Sequence, residues 1–364
     1  QALTDEDRWP WLEALRDHIR RLAAEGRSGV VACSALKASY RDLLLSAGEE
    51  ARIVYLKGSP ALINARLRAR TGHFFDAALL ASHPELFEGV GFVLNEGGGN
   101  QVVVDETIHW GIEIDQKVPL WAEISTRGVG GHGAVAQDDS AIVRLLRVLD
   151  LVRRIEPERA VTPSVRVYFE SVSRVAKGQK MQVLADIDRH ISSPQLDSEL
   201  PRGYQTLLQD TWTITVLDAG SSANVVPDRA KAQIDIRLLP GSRAEHALDY
   251  LERLADGNAE VRPILMGEPA PPSPIDTELW LAMESVLSRK SPASVVGPMV
   301  SAGTTDSRFF RERGVVAYGF SPFKINYYDF ATVHGVDERI RLSFLNEGVE
   351  TMKEIVAGFC LARP

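Results

Sequence analysis

Three stretches in the middle of the chain alternate between apolar and polar residues: PLWAEISTRG from residue 119, TWTITVLDA from residue 211 and RAKAQIDIRLL from residue 229. A period of two is the mark of a strand with one face buried and the other in water. Leu120, Ala122 and Ile124 share a face in the first. In the last, Ala232, Ile234, Ile236 and Leu238 do, with Arg237 on the opposite, polar face. DDSAIVRLLRVLDLVRRI, residues 138–155, has the period of an amphipathic helix, with Ile142, Leu145, Leu146, Leu149 and Val152 on one stripe. A helix over 243–255 and the strand AEVRPILM complete a β-α-β-β-α-β unit, about 118–266. Residues 156–209 show no clear period and read as irregular.

The start of the chain has a different rhythm. LTDEDRWPWLEALRDHIRRLAAEG predicts a helix capped by Thr4 and ended by Gly26; GVVACSAL predicts a buried strand and KASYRDLLLSAG a helix. ARIVYLKG predicts a second strand, and SPALINARLRARTG a helix with Ser59 as cap and Pro60 at its first position. Strand–helix alternation implies a parallel sheet. Beyond residue 83 come an apolar run ending at Glu96, a polar segment NQVVVDETIHWGIEIDQK, the β-α-β-β-α-β unit, a proline-rich linker GEPAPPSP and a closing helix from about 342 to 361.

With 45% hydrophobic and 25% charged residues, the chain has the composition of a globular protein. A formal net charge of −8 disfavours a nucleic-acid partner. Two cysteines, Cys33 and Cys360, give no disulfide framework and suit a cytoplasmic setting. No apolar run has the length of a membrane span. The opening at Gln1, inside a helix-start pattern, implies further sequence upstream.

Glu96 lies where a strand meets the glycines of NEGGGN, a common way to present a metal ligand or catalytic acid. His132 in RGVGGHGA and His334 in ATVHGVDERI sit beside glycines that leave an imidazole unshielded, although a turn histidine without chemistry has the same surroundings. SAGTTDSRFF sets Gly303, Thr304 and Arg308 near a helix start, a set that suits a carboxylate and equally suits a capped helix. Arg237 precedes a Pro-Gly turn, where it is either a solvated strand residue or a carboxylate clamp. The bases Lys37, Arg41, Arg66, Arg68, Arg70 and His73 are either solvated helix faces or an anion site, and no GxxxxGK[ST] loop accompanies them.

Together, HPELFEGVGFVLNEGGG, RGVGGHGA, NVVPDRAKAQIDIRLLPG, SAGTTDSRFF and VHGVDERI, in this order, resemble the di-zinc peptidase and amidohydrolase family of glutamate carboxypeptidase, carboxypeptidase S, succinyl-diaminopimelate desuccinylase and aminoacylase. The resemblance covers about 83–364. It implies an α/β zinc-exopeptidase-like catalytic domain, 83–117 and 267–364, with an inserted ferredoxin-like α+β lid, 118–266, that often pairs two chains. It implies zinc ligation by Glu96 and His334, each on a different metal, and a carbonyl-directed role for His132. It further implies substrate binding by Asn224, Arg237, Gly303, Thr304 and Arg308, with a small peptide or N-acyl amino acid as substrate. The family's His-x-Asp motif, bridging aspartate and Glu-Glu pair find no counterpart upstream of Glu96, so the zinc site and its general base are expected to be incomplete and the hydrolase impaired.

Residues 1–82 resemble gluconokinase instead, a P-loop sugar-acid kinase, through LTDEDRWPWLEALRDHI, GVVACSALKASYRDLLL and VYLKGSPALINARLRARTGHFF, but without its phosphate loop. The chain is expected to join two incomplete enzymes at a seam within 74–84. Gluconate kinase activity and a non-catalytic dimerising module are the alternatives to a hydrolase.

Overall fold

The computed structural model describes residues 5–26, 38–48, 88–103, 106–135, 138–194, 196–330, 332–333 and 338–360. Thr4, the strands expected in 29–36 and 51–58, the helix from Ser59, the seam at 74–84 and His334 lie outside them. The chain divides into two compact units, Gln1–Asp76 and Ala77–Pro364.

In the first unit, α1 (Asp5–Ala24) and α2 (Ala38–Leu45) match the helices expected there. Leu12, Tyr40 and Leu44 are buried together, with the Trp9 ring edge-on to Tyr40 at 5.4 Å. Gly26, at φ 64°, takes the left-handed conformation that ends α1.

The second unit holds two larger sheets. The first contains β1 (Phe92–Asn95), β2 (Gly99–Val103), β3 (Glu106–Gln116), β10 (Val295–Ser301) and β11 (Val316–Gly319). Its order is β1-β11-β3-β10, with β2 antiparallel on β3. β1 runs parallel to β11, and β10 parallel to β3. Trp110, Ile112 and Ile114 of β3 pack with α7 (Glu278–Lys290) and Ile355 of α9 (Leu342–Cys360). The segment read as merely polar, NQVVVDETIHWGIEIDQK, is thus a β-hairpin whose second strand is central. Its polar residues Thr107, His109, Glu113, Asp115 and Gln116 are buried. Their partners lie far away in sequence, so a local reading sees only polarity.

The second sheet has the order β6-β8-β4-β9, all antiparallel, from β4 (Val118–Arg127), β6 (Thr211–Ala219), β8 (Arg229–Leu238) and β9 (Glu260–Met266). This is the ferredoxin-like arrangement. Leu120, Ala122, Ile124, Ala232, Ile234 and Ile236 form its buried face under α3 (Ala141–Arg153) and α6 (Ala244–Ala255). Ser140 caps α3, its side chain accepting from the Val143 amide. One residue departs from the expected stripe: Leu146 is 53% exposed, while Ala141, Leu145, Val148, Leu149 and Val152 are buried. The stripe is centred on these five, and Leu146 falls on its flank.

Residues 156–209, read as irregular, contain a series of helices. α4 (Pro163–Ser173), α5 (Gly178–Ala185) and single turns at 187–190, 196–199 and 202–205 share a core with Val300 of β10, so this block packs on the first sheet. Four-residue helices are too short to show a period. Thr162 and Pro163, cap and first residue of α4, were the legible signal. A buried contact fastens the block: His109 of β3 and Ser171 of α4 share a hydrogen bond of 2.9 Å, against Gly297, where a Cβ would lie 1.7 Å from the Ser171 Oγ.

Candidate active site

The last turn of β8 places Arg237 at a corner where the two sheets meet. Its neighbours Ile236 and Leu238 are buried, so the period of two turns Arg237 to the polar face, as expected from sequence. Its Nε and Nη2 donate to the Asp235 carboxylate at 2.6 and 2.9 Å, and its Nη1 donates to the Thr304 hydroxyl. Asp235 also accepts from the Trp121 indole at 3.1 Å. This bracing holds the guanidinium at a fixed angle, with its side chain 21% exposed and its charge paired with Asp235. Thr304 and Gly303 lie on the loop that leaves β10; among the described residues, only the Ser301 hydroxyl lies near the open side of Gly303, at 3.6 Å. Arg308 lies on α8 (Ser307–Arg311), stacked 4.0 Å over Phe309. Burial lowers its pKa, and the nearby Arg237 charge adds to that shift against the pull of Glu312 and Asp306. Arg237 therefore meets Thr304 and Arg308, both remote from it in sequence, in one corner that also holds Asp235 and Glu312.

His132 and Asn224 meet in a separate ribbon. β5 (Gly131–His132) pairs with β7 (Val225–Val226), and the Gly133 amide donates to the Asn224 carbonyl at 2.7 Å. The Asn224 Oδ1 accepts from the Ser222 hydroxyl at 2.6 Å. His132 Nδ1 accepts from the Ala134 amide at 3.1 Å, so the neutral ring carries its proton on Nε2 and offers a donor to an external group. Both side chains are exposed. Among the described residues, no hydrogen bond of His132 or Asn224 reaches this corner.

Glu96 is exposed just beyond β1, as its strand-end position implied. The turn after it admits only glycine: Gly98 has φ 71°, and a Cβ there would lie 2.6 Å from the Gly111 carbonyl oxygen. His334, expected to ligate the other zinc, is outside the described residues. Among the described residues, no three His, Cys, Asp or Glu side chains converge on a point where a metal ion could sit. Glu96 on its own does not fit a metal centre, which needs three or four protein donors.

The most ordered chemistry under this surface was not legible in the sequence. Glu113 is fully buried; its Oε1 accepts from the Thr305 hydroxyl at 3.0 Å and from Arg311 at 3.3 Å. Burial outweighs the attraction of Arg311 and pushes the carboxyl up to about 7. Arg311 also donates to the Ala317 and Glu113 carbonyls, at 3.0 and 3.3 Å. Asp115 accepts from Ser164 at 2.6 Å. The Lys117 ammonium, buried at the crossover between the sheets, donates to the carbonyls of Thr206 and Gln209 at 2.9 and 2.8 Å, and burial lowers its pKa to about 8. The one available signal was the run IEIDQK, acids spaced through an apolar strand.

Residues 114–262 match the M20 family model described as a peptidase dimerisation domain. The chain is 26% identical over 241 residues to the probable carboxypeptidase S-like 2 of Dictyostelium discoideum, covering 64% of this chain and 45% of that protein. It is 29% identical over 154 residues to the human N-fatty-acyl-amino acid synthase/hydrolase PM20D1, covering 41% of this chain and 31% of that protein. The chain thus spans less than half the length of these two relatives. Over a shorter stretch of 116 residues it is 38% identical to the thermoresistant gluconokinase of Escherichia coli K12, covering 32% of this chain and 59% of that protein. In structure, the M20 family metallo-carboxypeptidase Sso-CP2 of Sulfolobus solfataricus shares the fold, with a TM-score of 0.56 at 15% identity, over 78% of this chain and 67% of that one.

Proposed function

We propose that the part of this chain from about residue 83 onward derives from a metal-dependent hydrolase of peptide or N-acyl amide bonds, and that the corner of Arg237, Thr304 and Arg308 takes the substrate's carboxylate. The observation that carries this is the bracing of Arg237 by Asp235 against the Thr304 hydroxyl, with a second guanidinium nearby. Two guanidiniums and a hydroxyl close together suit a carboxylate better than an amide or a sugar hydroxyl, with Asp235 already paired to one of them. The names of the carboxypeptidase S-like and N-fatty-acyl-amino acid relatives support the same ligand class. His132, with its Nε2 proton directed outward, is the donor we assign to the carbonyl oxygen as charge develops on it. Asn224 sits beside it, and Gly303 leaves room for a ligand to approach the backbone.

We assign Glu96 and His334 as remnants of the zinc ligand set. By this reading the 364-residue chain binds but does not turn over such substrates, because the remaining donors and the general base have no counterpart in it. On the same reading, residues 1–82 are a gluconokinase-like fragment, 83–117 with 267–364 a partial catalytic domain, and 118–266 the lid, although its 156–209 block packs on the first sheet with Val300. We place the protein in the cytoplasm; among the described residues, no helix is long and apolar enough to cross a membrane.

N-acetyl-L-leucine is expected to bind weakly, with a dissociation constant of about 1 mM or above, the range of a few surface-exposed polar contacts. Arg237→Ala is expected to weaken it at least tenfold. Equal affinities of the parent and Arg237→Ala in ligand-observed NMR titrations would refute the assignment.

The match to a dimerisation domain supports pairing with a second copy. β6 is the edge strand of its sheet, and Leu217 on it is 60% exposed. The full chain is expected to run as a dimer in static light scattering. A monomer at high micromolar concentration would refute pairing through the lid.

A further inference from the structure

We infer that Gln116 is a positioning residue for the carboxylate corner: it holds Thr305 so that the hydroxyl of the adjacent Thr304 stands against Arg237. The inference rests on the carboxylate reading above and adds the element that keeps that corner together.

Gln116 is the last residue of β3 and is buried, at 5% exposure. Its side-chain amide engages Thr305 from both ends. The Oε1 accepts from the Thr305 amide at 3.1 Å and lies 2.8 Å from the Thr305 hydroxyl, while the Nε2 donates to the Thr305 carbonyl at 3.2 Å. The backbone N–H and C=O of one loop residue are thus bound by one side chain, as a neighbouring strand would bind them. The loop leaves β10 without a strand partner for Thr305, so Gln116 supplies the pairing that a sheet would otherwise provide. Glu113 gives the Thr305 hydroxyl a second acceptor, at 3.0 Å. The hydroxyl has one proton, so it serves one of the two at a time.

The other half of the corner is held by the same short crossover. Lys117 donates its backbone N–H to the Ser301 carbonyl at 3.0 Å, at the end of β10. Pro119, three residues beyond Gln116, is the register partner of Arg237 across β4 and β8. Residues 116–119 therefore grip the Thr304 loop at one end and lie beside the Arg237 strand at the other. The distance between Thr304 and Arg237 is set by this crossover, which predicts that loosening the Gln116 clamp separates them.

The test uses the full chain with Gln116→Met, which keeps length and loses every hydrogen bond, and Gln116→Glu, which keeps the accepting contacts. Hydrogen exchange resolved at the Thr305 amide is expected to accelerate at least tenfold in Gln116→Met and to recover in part in Gln116→Glu, with exchange in β3 and β10 unchanged. Affinity for N-acetyl-L-leucine is expected to fall about fivefold or more in Gln116→Met, while that for N-acetyl-L-leucinamide stays the same. A general loosening of the fold would weaken both probes and speed exchange throughout, which would overturn the inference. Unchanged Thr305 exchange in Gln116→Met would overturn it directly. Faster Thr305 exchange in Gln116→Met, together with a parent protein that does not bind N-acetyl-L-leucine, would uphold the clamp and defeat the carboxylate reading, so the two failures are distinguishable.

Discussion

Replacing Arg311 by alanine is expected to destabilise the second unit by about 3–5 kcal/mol, the range for removing one partner of a buried ion pair. Arg311 is 2% and Glu113 0% exposed, so the carboxyl left behind has no water to turn to. Four other contacts go with the guanidinium: the Ser273 hydroxyl, the carbonyls of Ala317 and Glu113, and the electrostatic link to Asp115. The loss also depends on pH, and its sign follows from the direction of the Glu113 shift. The carboxyl titrates near 4.5 in the unfolded chain and about 7 in the folded protein. Between these values the folded state holds the extra proton, so stability from this group is complete below about 4.5 and falls as the pH rises to about 7. The full span of that shift corresponds to something on the order of 3 kcal/mol. Glu113→Gln is expected to remove this part of the pH dependence. Arg311→Ala is expected to cost more at pH 8, where the parent's Glu113 is ionised and paired with Arg311, than at pH 5, where Glu113 is neutral in both proteins. Urea unfolding at both pH values, followed by tryptophan fluorescence, checks this; Trp110 and Trp280 lie in the adjoining core. An Arg311→Ala protein as stable as the parent at pH 8 would show that the pair contributes nothing.

N-acyl amino acids and dipeptides supplied with Zn²⁺, Co²⁺ or Mn²⁺ are expected to remain intact above background. General-base and oxyanion groups commonly contribute factors of about a hundred or more each. On the proposed reading the chain keeps His132 as a donor and Arg237, Thr304 and Arg308 as a binding corner, but Glu96 and His334 are the only zinc-ligand positions that its motifs match by resemblance. Binding contacts lower the free energy of substrate and transition state alike, and so do not by themselves raise the rate. Turnover that disappears in both Glu96→Ala and His334→Ala would show that a complete site exists and that the missing ligands have been misjudged. Turnover that survives both variants would point to a contaminant.

Period and punctuation carried the ferredoxin-like sheet. Leu120, Ala122 and Ile124 were assigned to one face of a strand from alternation alone, and all three are fully buried. Solvent enforces that pattern residue by residue, so it is local and can be read locally. Arg237 was placed on the polar face for the same reason. The motifs around Glu96, His132 and SAGTTDSRFF gave the resemblance, because chemistry that needs a glycine turn beside a functional group leaves both in a short string.

Other features depended on partners remote in sequence. The helices of 156–209 are short and owe their order to packing on Val300, so no period marks them. Leu146 has the spacing of a core residue, yet the orientation of α3 on its sheet leaves it in solvent. Glu113, Asp115, Gln116 and Lys117 read as a polar run because their polarity is plain in the sequence and their partners are not. Arg311 lies 198 residues from Glu113, and Thr305 lies 189 from Gln116. A buried charge is tolerated only where a partner meets it, and only the folded chain brings that partner within a few ångströms. Sequence alone determined which strands have a dry face, and left Arg237, Thr304 and Arg308 open between a carboxylate site and ordinary surface or capping residues. Tertiary structure decided which of those residues meet, because a hydrogen bond is set by distance in space, and separation along the chain does not fix that distance.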